Sequence, residues 1–345
     1  MIPLLDAAPL FSTDAGARAL ADQALFAATR DVGFLYIGGL PPEVPLGPAV
    51  RARLLAVFAL DDADKRRLYR HKFAPENGNV YRGWFPVQAG NLTSKEGIDL
   101  GADIAYGPAV IARGDPLREA TPLPQEDRLP AWRADIAAYY RSMERVCQAL
   151  LCSLARSLGL CDGYFDEAFR QGLSTLRLIR YPARSAAELA TVADPGLWVE
   201  RQPTCRYLVG AAHTDSGFVT ILAQDEVAGL EVRGRHGRWI GVPPLENTLV
   251  VNFGQVLEQW SAGRIRATEH RVIGTGVERC SIPFFYEARA EATVAPLPID
   301  PPDLFAPFRY GDFLWQRITS FVEFRGMEGE RVPVNARAVK RGVQR

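Results

Sequence analysis

The chain of 345 residues has little of several features that mark whole classes of protein. Its five cysteines are odd in number and include no Cys-x-x-Cys pair, which argues against a disulfide framework or a zinc ribbon and fits a reducing cytosol. No apolar stretch approaches the length of a membrane span, and no cationic start precedes a long apolar run. The net charge is zero, which implies neither a basic surface for nucleic acid nor an acidic tail. We therefore expect a cytoplasmic protein with no membrane or nucleic-acid partner.

Histidine is also scarce, so the positions of the four histidines are informative. His213 lies in an apolar, strand-like segment two residues before Asp215, and His270 lies in a second apolar segment further along. His236 falls in the turn from Gly234 to Gly237, and His71 lies among basic residues, so we expect both to be exposed to solvent.

The spacing of His213 and Asp215 favours a shared ligand. Residues two apart on a β-strand point to the same face, so both side chains can reach one point while Thr214 points away. Two imidazoles and a carboxylate suit a divalent metal such as iron(II), and three ligands on one face leave three positions open. A His-x-Asp match alone is weak, because a lone histidine is more often bonded to the backbone. Together, His213, Asp215 and His270 are predicted to form the metal site and the catalytic centre.

Arg279 and Ser281 share one face of the next predicted strand. A guanidinium grips a carboxylate through two parallel hydrogen bonds, and a nearby hydroxyl adds a third. A surface salt bridge is the alternative for Arg279, and the apolar character of the strand disfavours it. The pair is therefore a candidate site for a carboxylate.

The periodicity along the chain predicts one integrated domain. Residues 1–128 form helices, strands and loops, 129–160 a long amphipathic helix, 174–290 short strands at regular spacing, and 300–345 a final helix and tail. The strand region is typical of a jelly roll, and residues 302–325 form an amphipathic segment that could act as a lid. We expect a mainly β fold with flanking helices, in which a jelly-roll core is backed by the long helix.

Nine short segments spread over most of the chain carry a resemblance to a known family. They are Ile2 to Asp6, Gly33 to Ile37, Lys95 to Gly101, Arg180 to Pro182, His213 to Asp215, Gly229 to Val232, Val250 to Gly254, His270 to Val272 and Arg279 to Ser281. With these motifs the chain resembles the 2-oxoglutarate- and iron(II)-dependent oxygenases, in the branch typified by isopenicillin N synthase, and especially its bacterial members. It departs from the family's usual pattern at Ile179 and Gln255.

The resemblance implies a double-stranded β-helix and a set of roles. His213, Asp215 and His270 would hold Fe(II), Arg279 and Ser281 would hold the distal carboxylate of 2-oxoglutarate, and Tyr181 would help to hold that carboxylate. Dioxygen would be the second co-substrate, and 2-oxoglutarate would be decarboxylated to succinate and CO2 as a C–H bond is oxidised, most simply by hydroxylation. The substrate would be a small molecule, either amino-acid-derived or an intermediate of secondary metabolism.

Arg177 shares the strand face of Tyr181, so an inward Tyr181 implies an inward Arg177. A buried arginine needs an anionic partner. That partner is either 2-oxoglutarate or a substrate carboxylate, which makes Arg177 a candidate binding residue, or a neighbouring acid in an ion pair. The sequence leaves both alternatives open.

Several other functions share parts of this pattern. An Fe(II) oxidase of the same fold, such as an oxidative cyclase, would use Arg279 and Ser281 on the substrate's own carboxylate and form no succinate. An ethylene-forming enzyme would fragment 2-oxoglutarate itself. A zinc hydrolase gives no role to Arg279 with Ser281, and a non-catalytic sensor would not need the intact metal triad.

Overall fold

The computed structural model describes residues 1–88, 94–190, 194–200 and 206–333. In this part of the chain short strands dominate the second half, as the sequence predicts. The strands are β1 (Leu4–Asp6), β2 (Phe34–Gly38), β3 (Gly83–Phe85), β4 (Glu96–Leu100), β5 (Thr175–Tyr181), β6 (Trp198–Glu200), β7 (Arg206–His213), β8 (Val219–Gln224), β9 (Leu230–Arg233), β10 (Trp239–Gly241), β11 (Leu249–Phe253), β12 (His270–Gly274), β13 (Arg279–Tyr286), β14 (Thr293–Val294) and β15 (Phe308–Arg309).

The α-helices lie mostly before the strand-rich region. They are α1 (Ala15–Asp31), α2 (Pro48–Leu55), α3 (Asp62–Arg67), α4 (Asp103–Tyr106), α5 (Trp132–Ser157), α6 (Asp166–Phe169), α7 (Ala186–Ala190), α8 (Gln255–Trp260) and α9 (Tyr310–Ile318). Asp14 caps α1 by accepting hydrogen bonds from the backbone N–H groups of Gly16 and Ala17. In the described residues no helix combines the length and apolarity needed to cross a bilayer.

Two sheets form the body of the protein. The larger sheet has the order β1-β2-β11-β8-β13-β5-β4-β3, and the smaller sheet has the order β10-β9-β12-β7-β6. Buried side chains from both sheets, among them Tyr181, Tyr207 and Val232, pack in one cluster between them. Apart from β1 with β2, the paired strands within these sheets run antiparallel. The predicted fold class, mainly β with flanking helices around a double-stranded β-helix, is confirmed.

The long helix α5 covers the outer face of the larger sheet. It was expected within residues 129–160 and is observed over Trp132–Ser157. The Tyr140 ring meets Phe284 of β13 edge to face at 4.9 Å, and both side chains are fully buried. Gly159, with φ of 77°, follows the helix end in the left-handed conformation that such an end favours. Alternate residues of β13 therefore face α5, and the others face the second sheet.

The C-terminal region differs from the single amphipathic segment expected over 302–325. The helix α9 covers only Tyr310–Ile318, because Phe308–Arg309 pair with Thr293–Val294 as strands and the chain continues in turns after Ile318. The helix nevertheless packs against the protein interior, since Leu314 and Ile318 line a cavity that His213 and Asp215 also line. The end of the tail expected within 300–345, from residue 334 on, lies outside the described residues.

Candidate metal centre and cavity

The three predicted metal ligands lie together at one end of the smaller sheet. His213 is the last residue of β7, and it pairs in register with His270, the first residue of β12. Asp215 lies just beyond β7. Its Oδ1 atom is 3.7 Å from the Nε2 atom of His213 and 3.8 Å from that of His270. Both separations are shorter than twice a metal–ligand bond of about 2.1 Å, so one ion could bind all three atoms.

Backbone carbonyl groups orient both imidazole rings. The Nδ1 atom of His213 lies 2.8 Å from the carbonyl oxygen of Ala211, and that of His270 lies 3.2 Å from the carbonyl oxygen of Thr268. If each Nδ1–H donates to its carbonyl group, each Nε2 atom keeps a lone pair that faces Asp215. This arrangement, with the second ring nitrogen fixed by a hydrogen bond, is common for metal-binding histidines.

Two polar side chains hold the Asp215 carboxylate in place. The Thr220 hydroxyl donates to its Oδ2 atom at 2.6 Å, and the Asn252 amide donates to the same atom at 2.7 Å. The Oδ1 atom is left facing the histidines. Thr220 and Asn252 are direct cross-strand neighbours on β8 and β11, a pairing that cannot be recognised before the strand register is known. Sequence reasoning missed both roles, although Asn252 lies in one of the family motifs.

Electrostatics keep the site in the form that binds metal. Although part of the His213 ring is open to the cavity, the protein packed around it and the neighbouring His270 lower its pKa to about 4, so its imidazole is neutral near pH 7. Burial would raise the pKa of Asp215, but the two histidines and the hydrogen bonds from Thr220 and Asn252 outweigh it and hold that pKa below the usual value. A neutral imidazole and an ionised carboxylate are the ligating forms of these groups.

The local geometry differs from the strand pattern expected for His213 to Asp215. Asp215 lies outside β7, and Thr214, expected to point away, is one of the residues that line the cavity. The first turn of α8 holds this bend, because the N–H of Gln255 donates to the Asp215 carbonyl group at 2.8 Å. A Cβ atom at Gly254 would overlap the Gly217 backbone, so glycine permits this close approach.

Arg279 lies in the protein interior, where its guanidinium group has more hydrogen-bond donors than partners. Its side chain is buried, its Nε–H donates to the Val227 carbonyl group at 3.2 Å, and its Nη2 group donates to the Gln224 side chain at 3.3 Å. The buried Nη1 group has no hydrogen-bond partner among the described residues. A buried donor without a partner is costly, so this position fits a ligand with an acceptor, such as a carboxylate.

Tyr181 and Ser281 border Arg279 as the sequence predicts. Tyr181 pairs directly with Arg279 across β5 and β13, and the guanidinium lies over the tyrosine ring at 5.3 Å from the ring centre. Ser281 is two residues from Arg279 on the same strand face, and it is buried. The structure therefore brings the three residues to one region between the sheets.

Arg177 has an acid partner within the protein. Its guanidinium donates to both carboxylate oxygens of Asp99, at 2.5 and 2.8 Å, and Asp99 also contacts the buried Arg70. Burial would lower the pKa of Arg177, but the Asp99 carboxylate outweighs it and raises that pKa. This is the ion-pair alternative left open by the sequence. Arg177 also lines the main cavity, so a contact with a ligand stays a prediction.

A cavity of about 350 Å³ opens beside the metal triad. His213 and Asp215 lie on its wall, and Phe285, on the same face of β13 as Arg279 and Ser281, lies on another part of that wall. The helix α9 and the segment that follows it enclose the cavity through Leu314, Ile318 and Phe321. Its volume matches that of a small-molecule site.

The other two histidines lie apart from this centre. His236 is exposed in a turn closed by a hydrogen bond from Gly237 to Gly234, as expected. His71 was expected to be solvated but is half-buried, with its Nδ1 atom 2.9 Å from the Asn77 carbonyl oxygen. Among the described residues, His213, Asp215 and His270 form the one cluster with the spacing of a metal site.

The donors present fit an iron(II) ion and a dicarboxylic co-substrate. The triad offers two imidazoles and one carboxylate on one side of a point, which leaves the other side open. Arg279 offers a buried guanidinium group whose Nη1 atom has no partner among the described residues, and such groups bind carboxylates.

Comparisons with known proteins agree with this site. The family model of the 2OG-Fe(II) oxygenase superfamily matches residues 184–288. The chain is 30% identical over 297 residues to isopenicillin N synthase of Streptomyces clavuligerus, covering 86% of this chain and 87% of that protein. It is also 30% identical over 311 residues to the 2-oxoglutarate-dependent dioxygenase citB of Monascus ruber, with the same coverage. The crystal structure of the dioxygenase for auxin oxidation in rice superimposes with a TM-score of 0.67 at 27% identity, covering 93% of this chain and 96% of that one.

The two relatives and the crystal structure match most of the chain, and the range matched by the family model contains His213, Asp215 and His270. The expected cofactors are confirmed at the level of the family, which uses Fe(II), 2-oxoglutarate and dioxygen. The chain belongs to the 2OG-Fe(II) oxygenase superfamily and is an enzyme of its Fe(II)- and 2-oxoglutarate-dependent dioxygenase class.

Proposed function

We propose that this enzyme hydroxylates a C–H bond of a small metabolite, with decarboxylation of 2-oxoglutarate to succinate and CO2. One oxygen atom of O2 enters the substrate and the other enters succinate. The iron ion and 2-oxoglutarate supply the oxidising power, and the protein supplies their binding, their orientation and a cavity shielded from bulk water.

The roles proposed for the metal ligands follow from the contacts described above. His213 and His270 present Nε2 lone pairs because their Nδ1 atoms face backbone carbonyl groups. Asp215 presents Oδ1 because Thr220 and Asn252 hold Oδ2. Such hydrogen bonds fix the angle at which each ligand meets the ion, which favours one geometry over a looser one.

The observation that carries the proposed position of 2-oxoglutarate is the unpartnered Nη1 group of Arg279. A carboxylate that accepts from this group would satisfy it, and Ser281 and Tyr181 lie close enough in the strand register to add hydroxyl donors. We assign the distal carboxylate of 2-oxoglutarate to this position.

We propose that Arg177 contributes positive charge toward a substrate carboxylate. It lines the cavity between two aromatic rings, with its guanidinium 5.3 Å from the Phe85 ring centre and 5.5 Å from that of Phe285. The Asp99 carboxylate carries one negative charge and is shared by Arg70 and Arg177. The three groups together therefore keep a net positive charge. An Arg177→Ala variant with unaltered affinity for both 2-oxoglutarate and substrate would leave Arg177 a purely structural role.

The substrate itself is proposed only by class. Proteins similar to this chain include isopenicillin N synthase and structures described with thymine and with a ligand named JA. These names cover chemically different small molecules, and we propose an amino-acid-derived metabolite or a natural-product intermediate. We also propose that the chain is a bacterial member of the family and that it is cytoplasmic. The same proposal includes a single domain, divided into 1–128, 129–160, 174–290 and 300–345.

The test is succinate formation by the purified enzyme supplied with iron(II), 2-oxoglutarate and oxygen. We expect slow succinate release without substrate and faster release when a true substrate from a metabolite panel is added. Substrate oxidation without succinate would identify the oxidase alternative. Ethylene in the headspace would identify fragmentation of 2-oxoglutarate.

A further inference from the structure

Glu287 lies on the wall of the main cavity, directly after β13. It is two residues from Phe285 and continues the strand face that carries Arg279 and Ser281. Its backbone N–H donates to the Ser174 hydroxyl at 3.1 Å, which fixes the start of the side chain. The residue is only 7% exposed, so its carboxyl group meets the cavity and not the outer surface.

The surroundings hold this carboxyl group but give it no cation. The Tyr310 hydroxyl of α9 donates to its Oε2 atom. Both carboxyl oxygens pack against Gly217. A Cβ atom at this position would overlap them, so only glycine allows this close contact. No described residue forms a salt bridge with Glu287. Arg82, the guanidinium group whose charge reaches it, already donates to the Thr175 hydroxyl and the Leu173 carbonyl group.

A buried acid without a cationic partner is costly unless a ligand supplies the charge or the acid holds a proton. Burial raises the pKa of Glu287 to about 8, with a further contribution from Asp215 that the Tyr310 hydrogen bond opposes. By contrast, the buried Asp99 carboxylate has two cationic partners, because it forms salt bridges with two guanidinium groups. Near pH 7 the ligand-free acid therefore holds a proton, which a cationic ligand in the cavity would displace.

Cations lie on a different part of the same wall. Lys95 and Arg177 both line the cavity. The Nζ atom of Lys95 is 3.0 Å from the Glu323 carboxylate, and Arg177 binds Asp99. Neither cation contacts Glu287. The cavity thus carries an unpaired acid at one position and basic groups at another.

We propose that Glu287 is a specificity-determining residue that binds a protonated amine of the substrate, while the face formed by Lys95 and Arg177 attracts a carboxylate. The substrate class is then an amine-bearing carboxylic acid, such as an amino acid or a derivative with a free amino group. This inference rests on the proposed function, because it assigns the cavity to the molecule that is oxidised.

The experiment compares matched pairs of probes with the full-length enzyme. Each pair consists of an amino acid and the carboxylic acid of the same skeleton without its amine, over a range of chain lengths. Anaerobic calorimetry in the presence of iron(II) and 2-oxoglutarate measures binding, and succinate release in air measures kcat and KM. The variants are Glu287→Gln, which keeps the shape and an acceptor for Tyr310, and Tyr310→Phe, which keeps the acid. Circular dichroism and a thermal melt check the fold of both.

For at least one pair, we expect the wild-type enzyme to prefer the amine-bearing member by roughly thirty-fold or more, the lower range for one partner of a buried charge pair. Glu287→Gln should reduce this preference to within a few-fold through KM, whereas Tyr310→Phe should retain most of it. Equal or weaker binding of every amine-bearing probe by the wild-type enzyme overturns the inference, and so does a preference that Glu287→Gln retains. An enzyme that consumes no 2-oxoglutarate under any condition would instead refute the proposed function.

Discussion

His213 and His270 are directly paired residues on the antiparallel strands β7 and β12, and the centres of their imidazole rings lie 4.3 Å apart. The strand pairing thus brings together two ligands that are far apart in sequence. Asp215 reaches the same point from the bend after β7. Because sheet hydrogen bonds fix the backbone at both histidines, the protein can hold this geometry without the ion.

Loss of one of these imidazoles should remove the metal. In His213→Ala the site keeps two ligands, and we expect iron affinity to fall more than about 100-fold, beyond the loss typical of residues that only support a ligand. Activity should fall to background. Metal content after dialysis against iron(II) measures the effect. His236→Ala is the control, because that side chain is exposed in a turn, and equal iron content in the two variants would contradict the assignment.

The hydrogen bonds to the Asp215 carboxylate should matter almost as much as the ligands. Thr220→Val keeps the side-chain shape but removes the donor at 2.6 Å from Oδ2, and we expect about a 10- to 100-fold loss of metal affinity. Competition with a chelator gives the affinity. Thr248→Val is the matched control, since the Thr248 hydroxyl donates to the Leu245 carbonyl group away from the triad. An unchanged affinity in Thr220→Val would show that Asp215 needs no support.

The Asp99 carboxylate should be a major source of stability. It is completely buried between Arg70 and Arg177, so Asp99→Asn removes the carboxylate that both guanidinium groups share. We expect the free energy of unfolding to fall by about 3 to 5 kcal/mol, as when one partner of a buried ion pair is removed. Urea denaturation measures it. Glu167→Gln, which breaks exposed pairs with Arg170 and Arg289, should lower the free energy of unfolding much less. Equal costs would refute the comparison.

Glu323 should give the stability a defined pH dependence. Burial would raise its pKa, but Lys95 and Arg177 outweigh burial and lower the pKa to about 2. Because the folded-state pKa lies below the unfolded one near 4.5, this contribution is present above pH 4.5 and is lost as the pH falls toward 2. Glu323→Gln should therefore cost on the order of 3 kcal/mol near pH 7 and about 1 kcal/mol less at pH 3.5.

Chemical denaturation of the apo-protein at several pH values measures this difference. The control is Glu246→Gln, because Glu246 is exposed. A deficit of Glu323→Gln that stays constant between pH 7 and 3.5 would show that the Lys95 and Arg177 charges do not act on this carboxylate.

The clustering of the candidate metal ligands was predictable because its signals are local. The scarcity of histidine and the two-residue period of strands indicate His213, Asp215 and His270, although Asp215 reaches its position through a bend and not along a strand. The placement of Arg279 and Ser281 on one buried strand face follows from the same period. The fold class follows from regular short strands after one long apolar-faced helix.

The supporting residues were not predictable, because each depends on a partner from a distant segment. Thr220 and Asn252 meet Asp215 only through the register of β8 and β11. Asp99 meets Arg177 only because β4 pairs with β5, so the sequence could not choose between an ion pair and a ligand contact. The predicted extent of the final amphipathic segment, residues 302–325, was wrong, because apolar spacing cannot show that Phe308–Arg309 pair as a strand.

The measurement that tests the central claim most directly is succinate formation as a function of 2-oxoglutarate concentration, for the wild-type enzyme and Arg279→Ala, with Arg170→Ala as the surface control. We predict iron-dependent succinate from the wild-type enzyme and from Arg170→Ala. For Arg279→Ala we predict a KM for 2-oxoglutarate at least about thirty-fold higher, because the co-substrate carboxylate loses a buried charged partner. No succinate from the wild-type enzyme, or an unchanged KM in Arg279→Ala, would contradict the account.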